Sequence, residues 1–372
     1  MAKYFLIAGE TSGDKHAAAL IQKIQQQDAN ASFSGLGGDQ MTAAGCHLYQ
    51  HCRQMAFMAL AAVLRNIGQV QRNFRIAKEA LLAENPDALI LVDYPSFNLR
   101  MAAFCRKHLP HTKIYYYVPP KVWAWKRRRI HRIARLCDRV LGIFPFEPAF
   151  YARYGYACTY VGNPTAEEIE QYAQNPKAVN QSPKTIVLLP GSRESEVSHC
   201  LPTMLEAARR FPGYHIVVSA APTLTDAYYM PYIRADETLT RNTYSAVQQA
   251  EVAIVNSGTA TLETALLGCP QVAVYHLAWS RLIALIRWAQ PLVFRIKHFT
   301  LVNILADKEV IRELVANDFT TDKVAVELQR LLSNQNYRND MLAAYRAIRT
   351  MLGTSSASLA AATIIVNETI NR

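Results

Sequence analysis

Short apolar runs that stop at Gly, Pro, Ser or Asp alternate along the chain with longer stretches of helical amphipathic spacing. That alternation predicts parallel strands joined by crossover helices. In the first half the strands fall at Tyr4–Gly9, Ser32–Gly38, Ala88–Asp93, Lys113–Val118 and Arg139–Phe144, with a helix from about Lys15. A polar, Pro-punctuated stretch, Asn163–Lys184, reads as a linker, after which the pattern restarts at Thr185–Leu189, His215–Ser219, Val252–Val255 and Gln271–Tyr275. Helices close the chain around Asp322–Leu332, Asn339–Leu352 and Ser355–Thr369. The expected fold is therefore α/β: two Rossmann-like, doubly wound domains facing across a cleft. Residues 1–165 form the first domain, 166–350 the second, and 351–372 a closing helix packing back on the first. Open α/β sheets bind ligands at their carboxyl edges, so function is expected in that cleft.

Composition narrows the class. Over 372 residues, 51% hydrophobic and 19% charged content excludes a disordered chain, and 15 Gly excludes a collagen. Seven scattered cysteines without a C-x-x-C pair suggest neither a disulfide scaffold nor a zinc site. The amino-terminal apolar run is short and turns acidic at Glu10, unlike a signal peptide, so a cytoplasmic protein is expected. The most hydrophobic region, Val272 to Phe299, is broken by His276, Arg281, Arg287 and Pro291, so no span is expected there. A net charge of +11 points to a polyanion, an anionic membrane surface or a phosphorylated substrate.

Four segments could carry chemistry. Leu189-Pro190-Gly191-Ser192-Arg193 ends a buried strand just before a helix, where backbone N–H groups, a hydroxyl and a guanidinium suit a phosphate; a capped helix with Arg193 paired to Glu196 is the structural alternative. Asn256-Ser257-Gly258-Thr259 repeats the strand, small-residue turn and helix, with Glu263 a turn further on for ribose hydroxyls. No P-loop and no G-x-G-x-x-G is present. Gly9-Glu10-Thr11-Ser12-Gly13-Asp14 follows the first strand, as a polar site or as a Ser/Thr cap. Asp93, at the end of a strand, is a candidate general base or the start of an Asx turn into Pro95. Three further segments mix apolar and basic residues. Trp123 and Trp125 precede Lys126–Arg129, able to stack bases, anchor at lipid headgroups or form a solvated helix. Phe57, Leu60, Val63, Leu64 and Ile67 recur at near-helical spacing among arginines, for membrane contact or for the core. Tyr275–Phe299 is a second patch of that kind.

Taken in order, Gly9–Asp14, Gly35-Leu36-Gly37-Gly38, Asp93–Asn98, Val122-Trp123-Ala124-Trp125, Phe144-Pro145-Phe146-Glu147, Leu189–Arg193, Ser257–Glu263 and Leu301–Leu305 resemble the lipid-A-disaccharide synthase family, inverting glycosyltransferases of the GT-B type, over nearly the whole chain. The resemblance implies transfer of 2,3-diacylglucosamine from UDP-2,3-diacylglucosamine to 2,3-diacylglucosamine 1-phosphate, giving a β(1→6) disaccharide and UDP. It implies a peripheral enzyme on the cytoplasmic face of the inner membrane, with no metal or other cofactor, no nucleic acid partner, and an oligomeric state left open. By motif, Asp93 becomes the base, with Glu10 and Ser12 beside it and Gly9, Gly13, Asp14 and Asn98 shaping the acceptor loop. Ser192, Arg193, Ser257, Gly258, Thr259, Glu263 and Asn303 would hold UDP, and Phe57, Leu60, Val63, Leu64 and Ile67 would touch the membrane.

The sequence departs from the family pattern at Asp39, Ser96, Pro119, Lys121, Val302 and Asp307, and at Asn163, where a His is usual. Asn163 removes a titratable group from near the domain junction. Two other readings stay open. One is a different UDP-sugar enzyme, of the peptidoglycan N-acetylglucosaminyltransferase or UDP-N-acetylglucosamine 2-epimerase type. The other is a nucleic-acid-binding protein using Trp123, Trp125 and Lys126–Arg129.

Overall fold

The computed structural model describes residues 2–55, 67–124, 126–174, 184–256, 258–276 and 297–370. The expected membrane residues Phe57, Leu60, Val63 and Leu64 lie outside these, as do Trp125, Ser257 and most of the Tyr275–Phe299 patch; the Ile67 side chain is likewise not described. The chain divides into two compact units, Met1–Glu167 with Thr354–Arg372, and Glu168–Gly353.

The first unit holds a seven-stranded parallel sheet: β1 Lys3–Ala8, β2 Ser32–Gly37, β3 His47–His51, β4 Ala88–Val92, β5 Lys113–Tyr117, β6 Arg139–Gly142 and β7 Thr159–Tyr160, in the order β3-β2-β1-β4-β5-β6-β7. Its central strands are buried along nearly their whole length, which is why they read as continuous apolar runs. Phe5, Ile7, Leu89, Leu91 and Tyr116 pack with Met101 and Ala102 in its core. The two edge strands escaped the apolar pattern. β3, His-Leu-Tyr-Gln-His, buries one residue, and β7 has two residues, neither buried. The carboxy-terminal helix Ala357–Ile370 packs on the helix Thr11–Gln25. It is pinned to this sheet by Lys113, whose ammonium donates to the Glu368 carbonyl at 2.8 Å, and by an Arg139–Glu368 ion pair at 2.6 Å.

The second unit holds six parallel strands: β8 Thr185–Leu189, β9 His215–Ser219, β10 Thr238–Thr240, β11 Val252–Val255, β12 Gln271–Tyr275 and β13 Glu313–Val315, ordered β10-β9-β8-β11-β12-β13. The missed strands are again the edges, β10 and β13, each three residues long.

The stretch read as a linker is corrected. Pro164–Gln174 is helical, with Pro at the first helical position and Asn163 as its cap, accepting from the Ala166 N–H at 3.1 Å and donating to the Ile143 carbonyl at 3.0 Å. A polar start with acids in the first turn is what a capped helix needs, and it resembles a linker when judged on hydrophobicity alone. Among the described residues every cysteine is free, and no helix is long and apolar enough to cross a membrane.

Candidate functional site

In each sheet the strand order reverses at one place, between β1 and β4 and between β8 and β11. The segments singled out from the sequence leave the sheets at these two switch points.

In the first unit Ala8 pairs with Val92 and Val92 with Tyr117, so Gly9, Asp93 and Val118 emerge side by side. Asp93, Tyr94 and Val118 all take left-handed backbone angles, φ 46°, 45° and 56°. For residues with a Cβ that conformation costs about 1 kcal/mol or more each, and it persists only where neighbours over-determine it. They do so here. The Asp93 N–H donates to the Val118 carbonyl at 3.2 Å, while the Asp93 carbonyl accepts from Tyr116 Oη at 2.8 Å and Asn98 Nδ2 at 2.7 Å. Asn98, fully buried, also reaches the Ile7 and Val92 carbonyls, clamping the exits of β1 and β4 together. The Tyr94 ring lies against Gly9 so closely that a Cβ there would come within 2.2 Å of it, and the Tyr94 hydroxyl donates to the Met55 carbonyl at 2.7 Å.

Glu10 is half-buried beside Tyr94, within its electrostatic reach, and Ser12 is exposed in the first turn of Thr11–Gln25. That helix starts without a side-chain cap, so the alternative reading of this loop as a Ser/Thr cap is not what forms. Gly13 is buried against Ala8 with ordinary spacing. Asp14 turns away from this edge. Its buried carboxylate accepts from the backbone N–H groups of Gly38, Gln40 and Met41 at 2.7, 3.1 and 3.0 Å, and a Cβ on Gly38 would lie 2.6 Å from Oδ2. Asp14 and the Gly35-Leu36-Gly37-Gly38 run are thus one structural joint.

Burial raises the Asp93 carboxyl pKa; the Lys121 ammonium and the Tyr94 N–H oppose that rise. Lys121 is exposed; the protein packed around its stem lowers its pKa, while Asp93 and Glu147 pull it back up. Glu147 is fully buried. Its Oε1 accepts from Trp123 Nε1 at 3.3 Å and its Oε2 from the Ile143 and Phe144 N–H groups at 2.7 and 3.0 Å, and burial still pushes its pKa to about 7. Trp123, itself buried, stands edge-on to Phe144 and Phe146. It is therefore part of the packed interior and offers no face for stacking a base.

In the second unit Leu189 pairs with Val255, and Asn256 binds the neighbouring exit through its N–H to Leu189 O at 2.9 Å and its Nδ2 to Pro190 O at 2.8 Å. The two small-residue turns are thereby brought together. Ser192 and Arg193 are exposed at the start of the helix Glu194–Ala208. Glu196 folds back to close a capping box, its Oε2 accepting from the Ser192 and Arg193 N–H groups at 2.8 and 3.2 Å, its Oε1 paired with the Arg193 guanidinium. The Arg193–Glu196 pairing set out as the structural alternative is what this structure contains. Gly258 opens the helix Gly258–Leu266, Thr259 is exposed beside it, and Glu263 is half-buried within reach of Tyr244, whose hydroxyl donates to Glu168.

Asn303 is fully buried, with every side-chain bond used internally. Nδ2 donates to Ile311 O at 2.8 Å and Glu313 Oε1 at 3.0 Å, and Oδ1 accepts from the Val310 and Ile311 N–H groups at 2.8 and 3.0 Å. It shapes the turn after the helix Leu301–Ala306, where Asp307 adopts φ 48°. Sequence reasoning missed Lys121, whose charge acts on Asp93, and the buried Glu147. The signal was available for Glu147: it follows β6 at the same carboxyl edge that drew attention to Asp93.

The overall architecture is shared with solved structures of sugar-nucleotide enzymes. UDP-GlcNAc 2-epimerase from Neisseria meningitidis bound to UDP-GlcNAc superposes with a TM-score of 0.65 at 11% identity, covering 100% of both chains. The calicheamicin glycosyltransferase CalG4 does so at 0.60 and 14% identity, covering 100% of this chain and 99% of the other. The fold is that of the GT-B class.

Sequence then narrows the class. The sequence model of the lipid-A-disaccharide synthetase family matches residues 4–365, and the chain belongs to that family of glycosyltransferases. It is 35% identical over 378 residues to the lipid-A-disaccharide synthase of Trichlorobacter lovleyi, covering 98% of this chain and 97% of that one. It is 37% identical over 369 residues to the synthase of Anaeromyxobacter dehalogenans, covering 95% and 94%.

Proposed function

We propose that the enzyme transfers 2,3-diacylglucosamine from its UDP conjugate to 2,3-diacylglucosamine 1-phosphate, with Asp93 as the base. The observation that carries the assignment is the Asp93 turn, a carboxylate held in a strained conformation at a switch point, where burial raises its affinity for a proton. Asp93 takes the proton of the acceptor 6-hydroxyl as that oxygen attacks the sugar C1. The C1–O bond to the diphosphate breaks on the opposite face, its electron pair leaves with UDP, and the configuration inverts. The transition state is oxocarbenium-like and its charge moves onto the leaving diphosphate, so fixed donors there lower the barrier without a metal.

Those donors are the Ser192 and Arg193 N–H groups, the Arg193 guanidinium and the helix start at Gly258, with Ser257, Thr259 and Glu263 placing the nucleotide; Asn303, expected to join them, is committed to the turn it shapes. Glu196 is the anion on the first two N–H groups, and a phosphate oxygen would take its place. Glu10 and Ser12 would line the acceptor side. Ring opening or deacylation is not needed, and UDP release is the measurable product. Purified enzyme given donor and acceptor should release one UDP per disaccharide; Asp93→Asn should release none while its thermal melt stays put. Full activity in Asp93→Asn overturns the base assignment, and conversion of UDP-N-acetylglucosamine to its 2-epimer without an acceptor would favour the epimerase reading.

We also propose peripheral contact with the cytoplasmic face of the inner membrane through the first unit. A groove of about 710 Å³ between the helices Ile67–Glu84 and Pro95–His108 sets Phe74, Leu82 and Phe104 among Arg75, Lys78 and Arg100, and Leu82 is 45% exposed. Apolar surface ringed by cations suits an anionic lipid surface. Flotation with vesicles containing phosphatidylglycerol, and not with phosphatidylcholine alone, tests it; binding to neither removes the reading.

A further inference from the structure

We propose that Arg129, held against the Asp93 turn through Ser96, binds the 1-phosphate of the acceptor and so makes a phosphorylated sugar the preferred acceptor. The inference rests on the reading of Asp93 as the base and of diacylglucosamine 1-phosphate as the acceptor.

The placement follows from the strand exits. β4 and β5 are parallel neighbours, with Val92 against Tyr117, so the segments that follow them leave the sheet side by side. After β4 the chain turns at Asp93 and Tyr94 and enters the helix Pro95–His108, whose second residue is Ser96. After β5 it passes through Lys126, left-handed at φ 52°, into the helix Arg129–Leu136. Arg129 opens that helix and reaches back across the two exits, its Nη2 donating to Ser96 Oγ at 3.1 Å. Ser96 is three residues along the chain from Asp93, so their Cα atoms lie within about 11 Å of each other. Tyr116, whose hydroxyl donates to the Asp93 carbonyl at 2.8 Å, is also within electrostatic reach of Arg129. An acceptor whose 6-hydroxyl meets Asp93 carries its phosphate one sugar ring away, within the span between that turn and Ser96.

The charge fits such a ligand. From Lys121 to Leu136 the chain has no acidic residue, so this segment brings cations and no carboxylate to the edge. Other cations of the first unit are engaged within it. Arg53 pairs with Asp39, Arg106 with Asp138 and Arg139 with Glu368, while Arg132 donates to the Leu99 carbonyl at 3.2 Å and Arg127 lies over the Phe150 ring. Arg129 is bonded to a neutral hydroxyl and feels the like charge of Arg132. An anionic phosphate there relieves that repulsion. The Ser96 hydroxyl accepts from Arg129 and keeps its own proton to donate, and a guanidinium is a planar fork of five N–H donors, so one phosphate can take a bond from each. Arg129 is half-buried, which holds the fork in place and strengthens a charge-assisted bond.

The test compares two acceptors with the full chain: diacylglucosamine 1-phosphate and the same diacylglucosamine without its phosphate, in one detergent, with UDP release as the readout. Arg129→Gln should lower kcat/KM for the phosphorylated acceptor about 10- to 100-fold, the worth of a charge-assisted hydrogen bond, chiefly through KM. With the unphosphorylated acceptor it should stay within about twofold of the parent, as expected when the interacting partner is already gone. Arg129→Lys, which keeps the charge without the fork, should fall between parent and Arg129→Gln, and it carries the same comparison should Arg129→Gln fail to fold. Where the unphosphorylated sugar is not turned over, its Ki as a competitor of the acceptor replaces kcat/KM. Equal losses on both acceptors, in a variant with the parent's melting temperature, overturn the inference. So does loss of binding to phosphatidylglycerol vesicles with the acceptor preference intact, which makes Arg129 a headgroup contact. A parent that releases no UDP with either acceptor, or an active Asp93→Asn, overturns instead the reading of the reaction on which the inference stands.

Discussion

The carboxyl edges of the two sheets are built on opposite plans. At the first, three successive strand exits are locked: left-handed turns, an aromatic ring seated on a glycine, and a buried carboxamide and phenol holding the carbonyl of Asp93. At the second, the N–H groups of the exposed Ser192 and Arg193 are already satisfied, because Glu196 caps its own helix. The first edge is organised before any substrate arrives. Under the proposed function, the second exchanges an internal anion for an external one. A base has to be aimed, and errors of about 1 Å are costly; a phosphate pocket must take in and then release a doubly charged leaving group, for which a removable stand-in is useful.

Substitutions separate the two plans, beginning with the largest effect. Asp93→Asn preserves shape and removes the base, so kcat should fall about 10²- to 10⁴-fold with an unchanged melt; a fall below tenfold would mean the locked edge serves only the fold. Arg193→Ala should cost about 2–3 kcal/mol of transition-state stabilisation, read as kcat/KM for the UDP-sugar, with little loss of stability because the Arg193–Glu196 pair is exposed. Gly9→Ala drives a methyl into Tyr94 and should destabilise by about 1–3 kcal/mol and lower kcat together. Gly258→Ala meets open space, so thermal stability should hold while UDP affinity falls; equal losses of stability at the two glycines would erase the contrast. Smallest is a pH effect on stability. Burial lifts the Glu147 carboxyl from 4.5 to about 7, so the native state binds the proton more tightly than the unfolded chain. Its contribution to stability is full at low pH and is lost as pH rises through that interval. The melting temperature should therefore decline between about pH 5 and 7, and Glu147→Gln should flatten that decline.

What could be read from the sequence followed burial. Ala88–Val92 and Thr185–Leu189 are apolar at every position because both faces of each strand are covered, and their exits at Asp93 and Pro190 were visible for the same reason. The edge strands β3, β7, β10 and β13 bury too little to leave a pattern. Roles were harder to read than locations. Asp14 and Asn303 stand in conspicuous motifs, yet their hydrogen-bonding capacity is turned toward backbone groups of Gly38–Met41 and Val310–Ile311. Spacing along a chain does not say which way a polar side chain points. Lys121 was noted as a departure and Glu147 as part of a motif, but Glu147 binds Trp123, two residues past Lys121, across one crossover connection.

The helix Ala357–Ile370 has a consequence for how the molecule is made. It belongs to the first unit, so the whole of Glu168–Gly353 is an insertion within that unit's chain. On the ribosome the later-coded lobe can finish folding while the earlier one still lacks its last helix, with the apolar flank of Thr11–Gln25 uncovered. Synthesis of Ala357–Ile370, rather than the order of coding, then closes the lobe that holds Asp93, and a nascent chain halted near Gly353 would display a sound second lobe beside an unfinished first one.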